Sequence, residues 1–121
     1  MSLQGREKFP KSARLRKRPE FLKLSRAGHK HQSANFVVIS RPNDRAETRL
    51  GITVSGKVGN SVVRNRIKRQ VREFFRRHRS EIVPACDILI IARTGAGELP
   101  AKGVVAELQR SLIHPRHQRK S

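Results

Sequence analysis

Along residues 48–56, TRLGITVSG, the apolar Leu50, Ile52 and Val54 alternate with Arg49, Gly51 and Thr53. A period of two gives an extended segment one apolar and one polar face, the pattern of a half-buried strand. NFVVIS, residues 35–40, is rich in β-branched side chains and bounded by turn formers. It predicts a strand, with the 48–56 segment antiparallel to it. HKHQSA, residues 29–34, adds a short edge piece ahead of it. CDILIIAR, residues 86–93, carries four consecutive large aliphatics. A run without polar alternation predicts a strand covered on both faces.

Between the last two strands the period changes. Val63, Ile67, Val71, Phe74 and Phe75 recur at helical spacing. At roughly 100° per residue they cover an arc of about 120°. Asn60 or Ser61 can cap this long helix and Gly59 permits a tight entry; the helix fades near Arg79 and is over by Pro84. PEFLKLSRAG, residues 19–28, predicts a short helix with Pro19 in its first turn, Gly28 at its end, and Phe21, Leu24 and Ser25 on one face. Val104, Val105, Leu108, Leu112 and Ile113 mark a final amphipathic helix that stops before Pro115. RPNDRAE, residues 41–47, and TGAGELPAKG, residues 94–103, read as connections.

The order helix, strands, long helix, strand, helix predicts a small α+β fold, with helices layered on one sheet. The long helix then joins two sequential strands as a crossover, which the general rule makes right-handed. Residues 1–18 lack an apolar period and form a basic, flexible arm; 19–117 make one domain; 118–121 are a basic tail.

Charge changes the picture. Lys and Arg number 28 against nine acids among 121 residues, a formal net charge of +19. Such an excess repels itself and calls for a polyanion, because phosphates bound by Lys and Arg release condensed counterions. The excess peaks on the long helix, where Arg64, Lys68, Arg72 and Arg76 stack at i+4 steps and Glu73 is the only acid. Solvated helix faces usually mix signs, and each like pair costs a few tenths of a kcal/mol. Arginine outnumbers lysine here, and its planar fork matches phosphate oxygens. Composition alone leaves DNA and RNA both open.

Other chemistries find less support. No stretch approaches the ~20 apolar residues of a membrane span, and no apolar run follows the basic start, so neither a span nor a secretory signal is expected. Cys86 is the only cysteine, which excludes an internal disulfide. The nine acids are scattered singly, without the paired carboxylates that protein-borne phosphodiester hydrolysis needs. His29 with His31, and His114 with His117, have no carboxylate or cysteine close by in sequence, so no metal site is expected.

KVGNSVVRNRIKRQVR, residues 57–72, resembles the signature of the bacterial ribonuclease P protein subunit family, a basic helix built on Arg-Asn-Arg after a turn carrying Lys57 and Gly59. RLRKRPEFLKLSRAG resembles that family's first helix with its arginine-rich lead, RLGITVS its central strand, and ILIIAR its last strand. The resemblance spans roughly residues 14 to 114. It implies an α/β sandwich like domain 2 of ribosomal protein S5, with a left-handed crossover through the basic helix, against the general rule. It implies that Arg64, Asn65, Arg66, Lys68, Arg69, Arg72 and Arg76 dock on a catalytic RNA.

A cleft between the first helix and the sheet would hold the 5′ leader of precursor tRNA. Phe21 would stack on a leader nucleotide, Ile39 would stand at a position often aromatic in the family, and Lys57 and Arg93 would face phosphates. By spacing alone Phe21 fits a core position equally well. Ser25 replaces a second aromatic, which thins the stacking. Asn65 would help fix RNA or a hydrated metal. The implied activity is endonucleolytic removal of the leader in the cytoplasm. Catalysis would rest on the RNA and its Mg²⁺, with no catalytic residue, membrane or obligate protein partner for the chain. The alternatives are a structural or ribosomal-type RNA-binding protein, a DNA-binding architectural protein and a stand-alone nuclease.

Overall fold

The computed structural model describes residues 14, 18–43, 45–82 and 85–113. The elements run α1 (Arg18–Ala27), β1 (His29–Gln32), β2 (Phe36–Pro42), β3 (Arg49–Thr53), α2 (Ser61–His78), β4 (Cys86–Ala92) and α3 (Ala101–Leu108). Short 3-10 turns follow α2 and β4, and α3 passes into a wider π-type turn at Gln109–Ile113. Apart from Arg14 and Arg18, the predicted basic arm lies outside the described residues, as does the tail.

The strands form one mixed sheet in the order β1-β2-β4-β3. β2 and β4 are antiparallel, with Phe36 opposite Ala92; β3 and β4 are parallel, with Arg49 opposite Asp87. β2 and β3 run in opposite directions as expected, but they do not pair, because β4 lies between them. The reason is in the side chains. Ile88 and Ile90 of β4 are buried on one face and Leu89 on the other, so this strand gains most from a central place.

On the inner face, Phe36, Val38, Leu50, Ile88 and Ile90 pack against Ile67, Val71, Phe74 and Phe75 of α2 and Val104 and Leu108 of α3. On the outer face, Leu24 of α1 packs on Ile39 and Leu89. The predicted layering is therefore present, with helices on both sides of the sheet. Asn60 caps α2 by accepting the Val63 N–H at 3.0 Å. At Gly28 a Cβ would stand 2.6 Å from Ile39 Cγ2, so only glycine lets the chain leave α1 so close to the sheet.

An ion-pair network ties α1 to the outer face. Arg49 donates to both carboxylate oxygens of Asp87, at 2.9 and 2.7 Å, and to Glu20 of α1 at 3.2 Å. Asn43 adds a fourth bond, to Asp87 Oδ1 at 2.9 Å. Burial pushes the Asp87 carboxyl up, but the bonds from Arg49 and Asn43 outweigh it and hold the group below its ordinary 3.8. A depressed carboxylate stabilises the fold above its unfolded pKa and loses that contribution as pH falls through its folded value. Asp87→Asn should therefore lower stability at neutral pH by about 1–2 kcal/mol and flatten the acid limb of a melting-temperature profile. An acid limb as steep as that of the parent protein would count against Asp87 as the titrating group.

Candidate nucleic-acid interface

Because one stripe of α2 is buried against the sheet, the opposite arc faces out. Asn65, Arg69 and Arg72 are exposed on it, with Lys68 half-buried beside them. Among the described residues, none of Arg64, Lys68, Arg69 and Arg72 lies in an ion pair with a carboxylate. Burial foremost, and the positive charge of Arg14, pull the Arg72 guanidinium below its usual range. Arg14 is there because its backbone bridges to Leu50 on the free edge of β3. Nothing in the periodicity of the arm announced that contact.

Other members of the predicted set are engaged within the chain. Arg76 and Arg77 both bond Glu73, at 2.6 and 3.0 Å. Hydrogen bonding from Arg76 first, then from Arg77, holds that carboxyl below its usual range against the effect of burial. Spacing alone grouped Arg76 with the open arginines; the structure gives it a carboxylate one helical turn back. Arg64 Nε donates to the Gly59 carbonyl at 3.2 Å, and Arg66 Nη2 donates to the Gly97 carbonyl at 2.7 Å. The two arginines of the Arg-Asn-Arg sequence thus brace the turn before α2 and the loop after β4.

A second surface lies on the outer face of the sheet. α1 covers Ile39 and Leu89 but leaves open the next row, where register sets Gln32, Val37, Ile91 and Thr53 side by side. Val37 and Ile91 are half-buried; Gln32 and Thr53 are exposed. Arg93 follows β4 and Lys57 lies beyond β3, both exposed and both at this end of the sheet. Arg93 Nη1 donates to the Ser33 carbonyl at 2.9 Å.

Phe21 belongs to α1, but its side chain lies outside what the structure describes. Ser25, one turn on, is exposed. Ile39, expected as a leader contact, is only 2 % exposed. It offers no surface for stacking because Leu24 packs over it. Val37 and Ile91 take its place as the open apolar positions. Their alternation shows which face they share, but their adjacency depends on strand order, which the sequence did not reveal.

Among the described residues, no three His, Cys, Asp or Glu side chains gather as a metal-binding group. The carboxylates of Glu20, Glu47, Glu73 and Asp87 are all paired with arginines. His114 and His117 lie outside the described residues. No described helix is long and apolar enough to cross a membrane.

The family model for Ribonuclease P matches residues 9–115. The ribonuclease P protein component of Citrifermentans bemidjiense is 47% identical over 100 residues, 83% of this chain and 85% of that protein. Among solved structures, the Staphylococcus aureus RNase P protein superposes with a TM-score of 0.78 at 39% identity, covering 83% of this chain and 92% of the other. The Thermotoga maritima RNase P protein does so with a TM-score of 0.77 at 37% identity, covering 84% and 96%. The matched span takes in the whole sheet, the basic helix and the Lys57 and Arg93 loops, and the chain belongs to the ribonuclease P protein family, the protein components of the tRNA-processing ribonuclease P complex.

Proposed function

We propose that the chain serves ribonuclease P by holding two RNA surfaces at once. The open arc of α2, with Asn65, Lys68, Arg69 and Arg72, takes the sugar-phosphate backbone of the catalytic RNA, and Arg64 and Arg66 brace it. The outer sheet face beside α1 takes the 5′ leader of precursor tRNA as a single strand. Phe21 and the Val37–Ile91 row supply apolar surface for its bases, and Lys57 and Arg93 face its phosphates.

The observation that carries this reading is the division of charge. Acids across the fold pair with Arg49, Arg76, Arg77 and Arg79, while Arg69 and Arg72 keep no carboxylate partner among the described residues. Cations left open on a rigid helix release the most counterions when phosphates arrive.

We read the β3-α2-β4 unit as the left-handed crossover of the sandwich shared with a domain of ribosomal protein S5. The parallel pairing of β3 with β4 through α2 supports a crossover, and its hand follows from the family resemblance. We assign the Mg²⁺ to the RNA subunit, where it would supply the activated water for phosphodiester hydrolysis. Among the described residues, Glu20, Glu47, Glu73 and Asp87 are taken up by arginines and Glu107 by Ser33 and Asn35, which supports that assignment because Mg²⁺ takes oxygen ligands that are free to coordinate. The chain's own part is to position the leader and screen phosphate repulsion between two large RNAs. It would do so in the cytoplasm, away from membranes and without an obligate protein partner.

Three measurements test this. Adding the chain to catalytic RNA at low Mg²⁺ should raise the rate of leader removal from precursor tRNA; an unchanged rate would reject the assignment. Arg69→Ala should weaken binding of the catalytic RNA and lower the slope of log affinity against log salt by roughly 0.7–0.9. A slope equal to that of the parent protein would mean Arg69 faces water in the complex. Phe21→Ala should cost roughly 1–3 kcal/mol in binding leader-bearing precursor and much less with mature tRNA. Equal losses on both would return Phe21 to a packing role.

A further inference from the structure

Glu107 of α3 is the one charged side chain that is buried among the described residues, 4 % exposed. Burying an anion is costly unless hydrogen bonds compensate it. Its carboxylate accepts three: from Ser33 Oγ, from the Asn35 backbone N–H at 2.6 Å, and from Asn35 Nδ2 at 2.9 Å. Burial pushes this carboxyl up, but the bonds from Ser33 and Asn35 prevail and hold it below the usual range, so it is charged in the folded protein. All three donors belong to the turn between β1 and β2, and that turn in turn grips Arg93. The Asn35 carbonyl accepts the Arg93 backbone N–H at 2.8 Å, and the Ser33 carbonyl accepts Arg93 Nη1 at 2.9 Å. The loop beyond Arg93 also packs close against Asn35, since a Cβ at Gly95 would collide with Asn35 Oδ1.

We infer that Glu107 is a positioning residue for substrate: by clamping Ser33 and Asn35 it fixes the direction of the Arg93 guanidinium, and so the grip on a leader phosphate. This rests on the reading of Arg93 as a leader contact. A simpler role is available to Glu107, that of fastening α3 to the sheet. The two roles differ in one respect. A fastener would affect binding independently of Arg93, whereas a clamp acts only through it.

The test is a double-mutant cycle in the holoenzyme reconstituted with catalytic RNA. The readout is the ratio of affinities for leader-bearing precursor and mature tRNA. Glu107→Met keeps length and removes both carboxylate oxygens. It should lower the ratio about fivefold, the equivalent of one ordinary hydrogen bond. Arg93→Ala should lower it at least as far, and the double variant no further than Arg93→Ala alone. Additive losses in the double variant, or an unchanged ratio with folded Glu107→Met, would overturn the clamp. If circular dichroism shows Glu107→Met unfolded, Asn35→Ala replaces it, with the same two outcomes. Should Arg93→Ala alone leave the ratio unchanged, the reading of Arg93 falls and the clamp with it. A normal Arg93 effect with additive losses removes only the clamp.

Discussion

The burial of one stripe of α2 against the inner face of the sheet sets the terms for the rest of the molecule. Ile67, Val71, Phe74 and Phe75 are at most 2 % exposed. Burying such side chains contributes about 1.5–3 kcal/mol each, while a like-charged pair at i+4 costs only a few tenths. Packing therefore outweighs the repulsion among Arg64, Lys68 and Arg72. The helix is held rigid with its cations turned outward, whether or not a counter-charge is present. A surface whose charge is unsatisfied in the free protein is prepared for a polyanion, because binding then requires little reordering of the protein.

Several of the described carboxylates are placed as tethers. Glu20 and Asp87 share Arg49 and so hold α1 on the sheet; Glu47 pairs with Arg79 at the far end of α2. Glu73 occupies Arg76 and Arg77, which marks where the open arc of α2 gives way to self-neutralised charge. Glu107 holds no arginine and instead organises a turn. The Arg-Asn-Arg sequence is correspondingly divided in its duties. Its arginines reach back to Gly59 and across to Gly97, so the helix that carries the open cations also braces the loops that carry Lys57 and Arg93.

On the outer face the open row is short. α1 covers the Ile39 and Leu89 positions, and what stays accessible is Val37 and Ile91 between polar Gln32 and Thr53. With Ser25 exposed one turn after Phe21, aromatic surface along this strip is sparse. The exposed cations at this end of the sheet are Lys57 and Arg93.

Periodicity in the sequence determined the elements themselves: the helical stripe and its cationic arc, the alternation of β3, the doubly covered β4, and the use of α2 to join β3 to β4; for the helix cap it left Asn60 and Ser61 both open, and the structure uses Asn60. All of these arise between residues a few positions apart, where backbone geometry alone decides which side chains share a face. Only the tertiary structure decided that β4 divides β2 from β3, that Val37 and Ile91 rather than Ile39 line the open row, and that Arg76 belongs to Glu73. It alone brought Arg66 to Gly97, 31 positions away, and Glu107 to Asn35, 72 positions away. An apolar pattern states that a face must be covered but not by what. The partner is settled by competition among all the strands and helices for the same buried surface, and polar groups find one another only once that competition is over.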